Sequence, residues 1–145
     1  MKDGAPAVVT STELLGTGRV VLFAVPGAFT PGCSRVHLPG YKNHAKDLSD
    51  KGVDTIACIS VNDVFVMDAW GQAQGVSEDI VMIADPDGDF AKAVGMVIDM
   101  SGFGLGVRSQ RYAMVIQDGV IVEVFPEEDG ASVSGSTAEC VLAKL

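Results

Sequence analysis

Three cysteines, two histidines and a loop rich in Pro and Gly hold most of what this 145-residue chain could use for chemistry. Cys33 is the best placed of them. It sits near the end of Pro26-Gly27-Ala28-Phe29-Thr30-Pro31-Gly32-Cys33-Ser34, after an apolar run at 20–25 and before a stretch with helical potential. The run has the length and β-branched content of a buried strand, which puts Cys33 in the first turn of the helix that follows. A helix start offers unpaired backbone N–H groups and partial positive charge, so a thiolate is favoured there and the thiol becomes a nucleophile. The competing reading is a turn of Pro and Gly that carries a buried, inert cysteine. His37 lies four residues beyond Cys33 and shares its face if the helix is regular.

The elements that must position these groups follow from the apolar pattern. Residues 1–18 are polar and turn-rich, and are expected to drape over the domain. After the 20–25 strand, a helical stretch runs over about 30–50, with Pro39-Gly40 expected to kink or break it and Gly52 to stop it. Residues 55–61 read as a second interior strand. Asn62 or Asp63 caps a short helix over 64–70 that Gly71 closes. A third strand over 80–84 ends in the turn signal Asp85-Pro86-Asp87-Gly88, and a helix over about 89–94 follows. Residues 99–110 form a loop carrying Gly102, Gly104 and Gly106. Strands at 112–116 and 120–124 make a hairpin through Asp118-Gly119, and a last helix starts at about Ser136 and runs to Leu145 with Cys140 inside it. Strands alternating with helices, then a hairpin and a final helix, give an α/β fold: a central mixed β-sheet flanked by helices on both faces, the layout of a thioredoxin-like domain.

Length and charge bound the class. The chain suits one domain, 1–145, with a sizeable core. Ten basic against nineteen acidic residues give a net charge of −9, so neither nucleic acid nor an anionic membrane is an expected partner. No apolar run reaches bilayer-spanning length, and the first residues lack the apolar core of a secretory signal. Cys33, Cys58 and Cys140 are odd in number and widely spaced, with no C-x-x-C pair. That argues against a disulfide framework and for a reducing intracellular, cytoplasmic setting. With only His37 and His44 to add, no metal site is expected.

Beyond pattern, Pro26-x-x-x-Thr30-x-x-Cys33 resembles the peroxiredoxin active-site motif, and the whole string from Pro26 to Ser34 resembles the type II, peroxiredoxin-five-like subfamily. His37-Leu38-Pro39-Gly40, Cys58-Ile59-Ser60-Val61-Asn62-Asp63, Phe65-Val66-Met67-x-x-Trp70, Ala84-Asp85-Pro86 and Arg108-Ser109-x-Arg111-Tyr112 are similar to that subfamily in the same order, over roughly 19–145. The resemblance implies a thiol peroxidase without a cofactor, acting on hydrogen peroxide and alkyl hydroperoxides. Cys33 is then the peroxidatic cysteine, Thr30 and Arg111 contact the peroxide, and Pro26 shields the thiolate, with Gly32, His37 and Arg108 in support. It also implies a homodimer, through loops flanking the site that include Phe65 and residues 102–106. Family members carry a longer N-terminal segment with an extra hairpin, of which only a short remnant precedes Ser11.

The chemistry requires more than the loop. A free thiol titrates near 8.5, so complete ionisation at neutral pH gains at most roughly thirty-fold. Lowering that value to about 6.5 takes about 2.7 kcal/mol, and a helix start supplies only ~0.3 to 1 kcal/mol. A cation is needed, and Arg111 is the candidate. Donors fixed on the leaving oxygen can each add about 10² to 10³ in rate, a task that suits the Thr30 hydroxyl and the Arg111 guanidinium. Each residue has a plainer reading: Arg111 as an edge charge, Thr30 as a cap, His37 as packing, Arg108 as a loop charge.

For the return half of the cycle, residues 131–136 hold no cysteine, so an internal disulfide to that loop is excluded. Cys58 lies in an apolar strand and reads as a small buried residue, with a resolving role as the alternative. One-cysteine recycling by glutathione with glutaredoxin, or by thioredoxin, is expected. A redox-sensing or chaperone-like binding protein switched by Cys33 oxidation is the rival function. The tail Ala143-Lys144-Leu145 resembles a relaxed peroxisomal address, which adds the peroxisome or another organelle as a second location.

Overall fold

The computed structural model describes residues 1–145. Five strands form the central sheet in the order β3-β2-β1-β6-β7: β1 (Arg19–Ala24), β2 (Thr55–Ser60), β3 (Val81–Ala84), β6 (Tyr112–Gln117) and β7 (Val120–Pro126). β1, β2 and β3 run parallel, β6 runs antiparallel to β1, and β7 returns antiparallel to β6. The sheet is mixed, as the strand pattern predicts. Its interior strands are apolar on both faces because both faces are covered.

Alternation along each strand sorts the side chains between two cores. Val21, Phe23 and Val25 point to the larger one, with Ile56, Cys58, Ala113 and Val115. Leu38 and Tyr41 of α2 (Leu38–Asn43), Leu48 of α3 (Ala45–Asp50), Met67 and Trp70 of α4 (Val64–Ala73), and Val141 of α6 (Ala138–Leu142) cover it. Val20, Leu22 and Ala24 point the other way, with Ala57, Ile59, Tyr112 and Met114. There Leu15 of α1 (Ser11–Leu15) and Phe90 of α5 (Asp89–Ala93) close the second core.

The 30–50 stretch departs from expectation in a way that matters for the site. Pro39 does not break it. Residues 33–37 wind as a π-turn in which the Leu38 N–H donates to the Cys33 carbonyl, and Pro39 sits in the first turn of α2. Proline lacks the N–H for a regular bond to residue 35 and crowds that carbonyl, and the wider turn ahead of it accommodates both. The interruption falls instead at His44, between α2 and α3. The stop at Gly52 is as expected: its φ is 87°, its N–H bonds to Ser49 O, and the Val53 N–H bonds to Leu48 O.

Other boundaries move for identifiable reasons. Residues 11–15 form a helix inside the expected drape, held by a capping box between Thr10 and Glu13. Asp63, not Asn62, caps α4. The helix continues through Gly71 to Ala73, and a Cβ at 71 would come within 3.1 Å of Met82. The loop at 99–110 contains β5 (Val107–Ser109), paired with β4 (Val97–Asp99) in a separate two-stranded sheet. The final helix is shorter than expected, 138–142, capped by Thr137. Ahead of Ser11, Lys2 and Ala5 form a single isolated bridge.

Candidate active site

The register of β1 and β6 decides where the distant arginine goes. Ala24 pairs with Tyr112, so the chain leaving β1 into the Pro26 loop passes beside the residue entering β6, which is Arg111. Alternation turns Arg111 toward the face of Ala113 and Val115, opposite to Tyr112. The π-turn and α2 lie on that face.

Cys33 is wholly buried there. The Thr30 hydroxyl lies 2.9 Å from its sulfur and 2.7 Å from Gly27 O. A hydroxyl carries one hydrogen. Gly27 O, which only accepts and also receives the Thr30 N–H at 3.3 Å, competes with the sulfur for that hydrogen, so a small rotation of the hydroxyl moves it between the two. On the other side Arg111 Nη2 donates to Cys33 Sγ at 3.3 Å. A Cβ at Gly32 would come 3.3 Å from that same Nη2, close enough to push the guanidinium a few tenths of an ångström from its place. Pro26 is buried at the start of the loop.

Every arm of Arg111 is fixed. Nε donates to Ala131 O at 2.8 Å, Nη1 meets His37 Nδ1 at 3.0 Å, and the backbone N–H bonds to Gly130 O at 2.7 Å. The side chain forms no ion pair with a carboxylate although the residue is only 4% exposed. A buried guanidinium surrounded by carbonyls and a neutral ring is an uncompensated charge unless the sulfur is an anion.

His37 is the neutral ring beside Arg111. Its Nε2 faces Ser136 O at 3.0 Å, and a carbonyl only accepts, so Nε2 carries the hydrogen and Nδ1 is the acceptor for Arg111. Burial against Phe23 and Tyr41 brings its pKa down to about 4, outweighing the opposing pull of the Ser136 bond. Arg108 stays off the sulfur. It ties Leu105 O at 2.7 Å to Val61 O at 3.1 Å, and its Nη1 lies 3.5 Å from where a Cβ at Gly27 would be.

Cys58 is buried in β2 opposite Phe23, and burial pushes its thiol up, with the Cys33 charge adding to the rise. Cys140 is half-buried and donates its S–H to Ser134 O at 3.3 Å. A shallow hollow between α4 and β3, lined by Asp68, Gln72 and Glu78, includes none of the site residues.

With the sulfur, hydroxyl and guanidinium so arranged, similarity to known proteins completes the picture. The Redoxin family model matches residues 1–142. The chain is 44% identical to "Peroxiredoxin-2E, chloroplastic" from Arabidopsis thaliana over 98% of its own length and 61% of the relative's. Among solved structures it is 55% identical, with a TM-score of 0.87, to reduced Prx3 in complex with H2O2 from Vibrio vulnificus, over 92% of this chain and 85% of that one. It is 38% identical, with a TM-score of 0.80, to peroxiredoxin 5 from Alvinella pompejana, over 90% of this chain and 80% of that one. This chain belongs to the type II peroxiredoxin family. Its fold is accordingly thioredoxin-like.

Within this peroxiredoxin the sequence reading leaves several supports unnamed. The Asn62 side chain accepts the Ala28 N–H at 3.0 Å and the Ser60 hydroxyl at 2.7 Å, which pins the Pro26 loop to the end of β2. Trp70 Nε1 donates to Ser34 Oγ at 3.0 Å. The loop after β7 supplies Gly130 O, Ala131 O and Ser136 O, and Glu127 organises it. Asn62 had a sequence signal as a cap, and both it and Trp70 stand in strings similar to the family; backbone carbonyls have none.

Proposed function

We propose that this chain is a thiol-dependent peroxidase that reduces hydrogen peroxide and alkyl hydroperoxides through a Cys33 sulfenic acid. The observation that carries this reading is the buried, carboxylate-free Arg111 aimed at the Cys33 sulfur opposite the Thr30 hydroxyl. The Cys33 thiolate attacks the hydroxyl oxygen of the peroxide in line with the O–O bond. An S–O bond forms, the O–O bond breaks, and sulfur is oxidised as the peroxide is reduced. The leaving oxygen departs as hydroxide or alkoxide under the N–H groups of Arg111 and the Thr30 hydroxyl, and takes a proton to become water or alcohol.

Recycling uses an external thiol, glutathione with glutaredoxin or thioredoxin. Support comes from the wholly buried Cys58, whose thiol is pushed up, and from the absence of cysteine in residues 131–136. Two copies pair through the exposed Phe29, Phe65 and Phe103, which border the site: Ala28 is bonded to Asn62, and Val61 to Arg108. The setting is a reducing compartment, cytoplasm or organelle; two plant relatives are named chloroplastic, of which the chain spans 61% and 64%.

Rapid mixing of reduced protein with H2O2, followed through its single tryptophan, Trp70, tests the reading. Cys33→Ser is expected to abolish the change and Cys58→Ser to preserve turnover with glutathione, glutaredoxin or thioredoxin. Oxidation no faster than that of a free thiol overturns it. Fast oxidation with no turnover by any reductant favours a sensor. Loss of turnover in Cys58→Ser makes Cys58 resolving.

A further inference from the structure

Beyond the cysteine, threonine and arginine lies a buried acid that the proposed chemistry does not use. Glu127 follows β7 directly and is 5% exposed, while its neighbour Glu128 is in solvent. It forms no ion pair. A buried carboxylate is tolerated only when hydrogen bonds replace its water. Oε1 accepts the Ser134 N–H at 2.8 Å, the Ser136 N–H at 2.9 Å and the Ser136 hydroxyl at 2.7 Å. Oε2 accepts the Ser134 hydroxyl at 2.7 Å and the Gly135 N–H at 3.1 Å. Burial pushes the carboxyl up, yet these five bonds outweigh it and bring the pKa down to about 2.

What the carboxylate gathers is the segment that fixes His37. Holding the N–H groups of 134–136 on Glu127 turns the Ser136 carbonyl inward, where it accepts both His37 Nε2–H at 3.0 Å and the Tyr41 hydroxyl at 2.8 Å. The Ser136 hydroxyl, already donating to Glu127, lies 3.3 Å from the same Nε2. With Nε2 so protonated, Nδ1 takes the Arg111 Nη1–H, and Nη2 is left directed at the sulfur. The backbone carbonyl of Glu127 takes the Gly130 N–H at 3.1 Å, and Gly130 O and Ala131 O hold Arg111 at its N–H and Nε. Apart from the sulfur itself, every partner of Arg111 is therefore set by the loop that Glu127 closes.

We propose that Glu127 is a positioning residue for the peroxide reaction, acting through Ser136 and His37 to fix the Arg111 guanidinium on the Cys33 sulfur. The proposal rests on the peroxidase reading. Its specific content is the relay, in which a carboxylate that never meets substrate selects the tautomer of a histidine and thereby the aim of an arginine. An amide cannot substitute, because all five partners donate and one amide arm also donates.

The test compares Glu127→Gln, Ser136→Ala and the wild type. Glu127→Gln is expected to slow Cys33 oxidation by H2O2 roughly 10- to 100-fold, the scale of a small displacement of a catalytic group. In an Arg111→Met background the same change should alter the rate less than about two-fold, since the relay then has nothing to aim. Nitrogen-15 NMR of the histidines should show His37 as the Nε2–H tautomer in wild type and lose that signature in Glu127→Gln. If Glu127→Gln does not fold, Ser136→Ala carries the same comparisons, with a smaller expected loss. A folded variant with unchanged rate and unchanged tautomer overturns the proposal, as does an equal slowing with and without Arg111. Slow oxidation of the wild type would instead defeat the peroxidase reading, while the tautomer measurement still reports on the relay.

Discussion

Arg111 is a cation with almost no water around it and no acid beside it, so its charge has only the sulfur to answer to. Lysine cannot replace it. An ammonium is a point donor, whereas Nε, Nη1 and Nη2 reach Ala131 O, His37 Nδ1 and Cys33 Sγ at once. On the proposed chemistry, Arg111→Lys should slow Cys33 oxidation by about 10² to 10³, measured by stopped flow, and near-wild-type rates would show that charge alone suffices. His37 adds a pH dependence to stability. It titrates at about 4 in the folded protein and near 6.5 in an unfolded chain, so the unfolded state binds more protons between those values. Stability therefore rises with pH from about 4 to about 6.5, by about 3 kcal/mol over the interval, and is flat above it for this group. Urea titrations at pH 5 and 7 check the slope, which His37→Gln should remove. Tyr112 makes a contrasting case: its hydroxyl is buried with no partner among the protein's own groups. An unpaired buried hydroxyl costs about 1 to 3 kcal/mol, so Tyr112→Phe is expected to leave thermal stability unchanged or raise it. The motif residues Cys33 and Thr30 were legible in the sequence, and so was the need for Arg111. His37 was legible only as a support implied by the family and Glu127 not at all, because the contacts of each run through a backbone carbonyl or N–H whose position only the folded loop defines.

The element that sets the sulfur is the π-turn at 33–37, and its cause lies two residues beyond its end. Pro39 cannot donate to Arg35 O, and the wider winding upstream swings His37 to the angle at which Nδ1 meets Arg111. Pro39→Ala restores the donor and a better helix former. The helix is then expected to relax toward regular winding, with Cys33 oxidation about ten-fold slower and the melting temperature equal or higher. An unchanged rate would mean that tertiary packing, not Pro39, dictates the turn. This bulge escaped the sequence reading because Pro within a helical pattern signals an interruption without saying which side absorbs it. Strands β1, β2, β3, β6 and β7 were legible, being apolar runs bounded by turn residues. The Asp118-Gly119 turn follows the expected pattern, both residues having positive φ, 49° and 82°. β4 and β5 were not legible. At three residues each they show no period, and glycines at 102, 104 and 106 make the segment read as loop. α1 was hidden in the same way: five residues, a polar surface, and one buried leucine, Leu15.

At the scale of the whole molecule, antiparallel pairing of β6 with β1 converts a separation of 78 residues between Cys33 and Arg111 into contact. Sequence supplies the strands but not their order, which is why the arginine could be required by magnitude and matched by family motif yet not located by pattern. The molecule as a whole also carries a charge of −9, and that charge faces the two halves of the proposed cycle differently. Peroxide is neutral and its approach is indifferent to the field. Glutathione is an anion, and its thiolate more so, so it must approach against the net charge except near Arg108 and Arg111. Arg111 is buried and Arg108 is engaged with two carbonyls, so neither projects far into solvent. Beyond a few ångströms the nineteen acidic residues dominate. Added salt shortens the screening length to about 10 Å at 0.1 M and should relieve the repulsion. The rate of sulfenic acid reduction by glutathione is therefore expected to rise by roughly two- to ten-fold between low and physiological ionic strength. Reduction by 2-mercaptoethanol should change much less, and the H2O2 step should not change. A glutathione rate that falls with salt would place an attractive cationic surface at the mouth of the site, and the two arginines would then be steering the reductant as well as serving the sulfur.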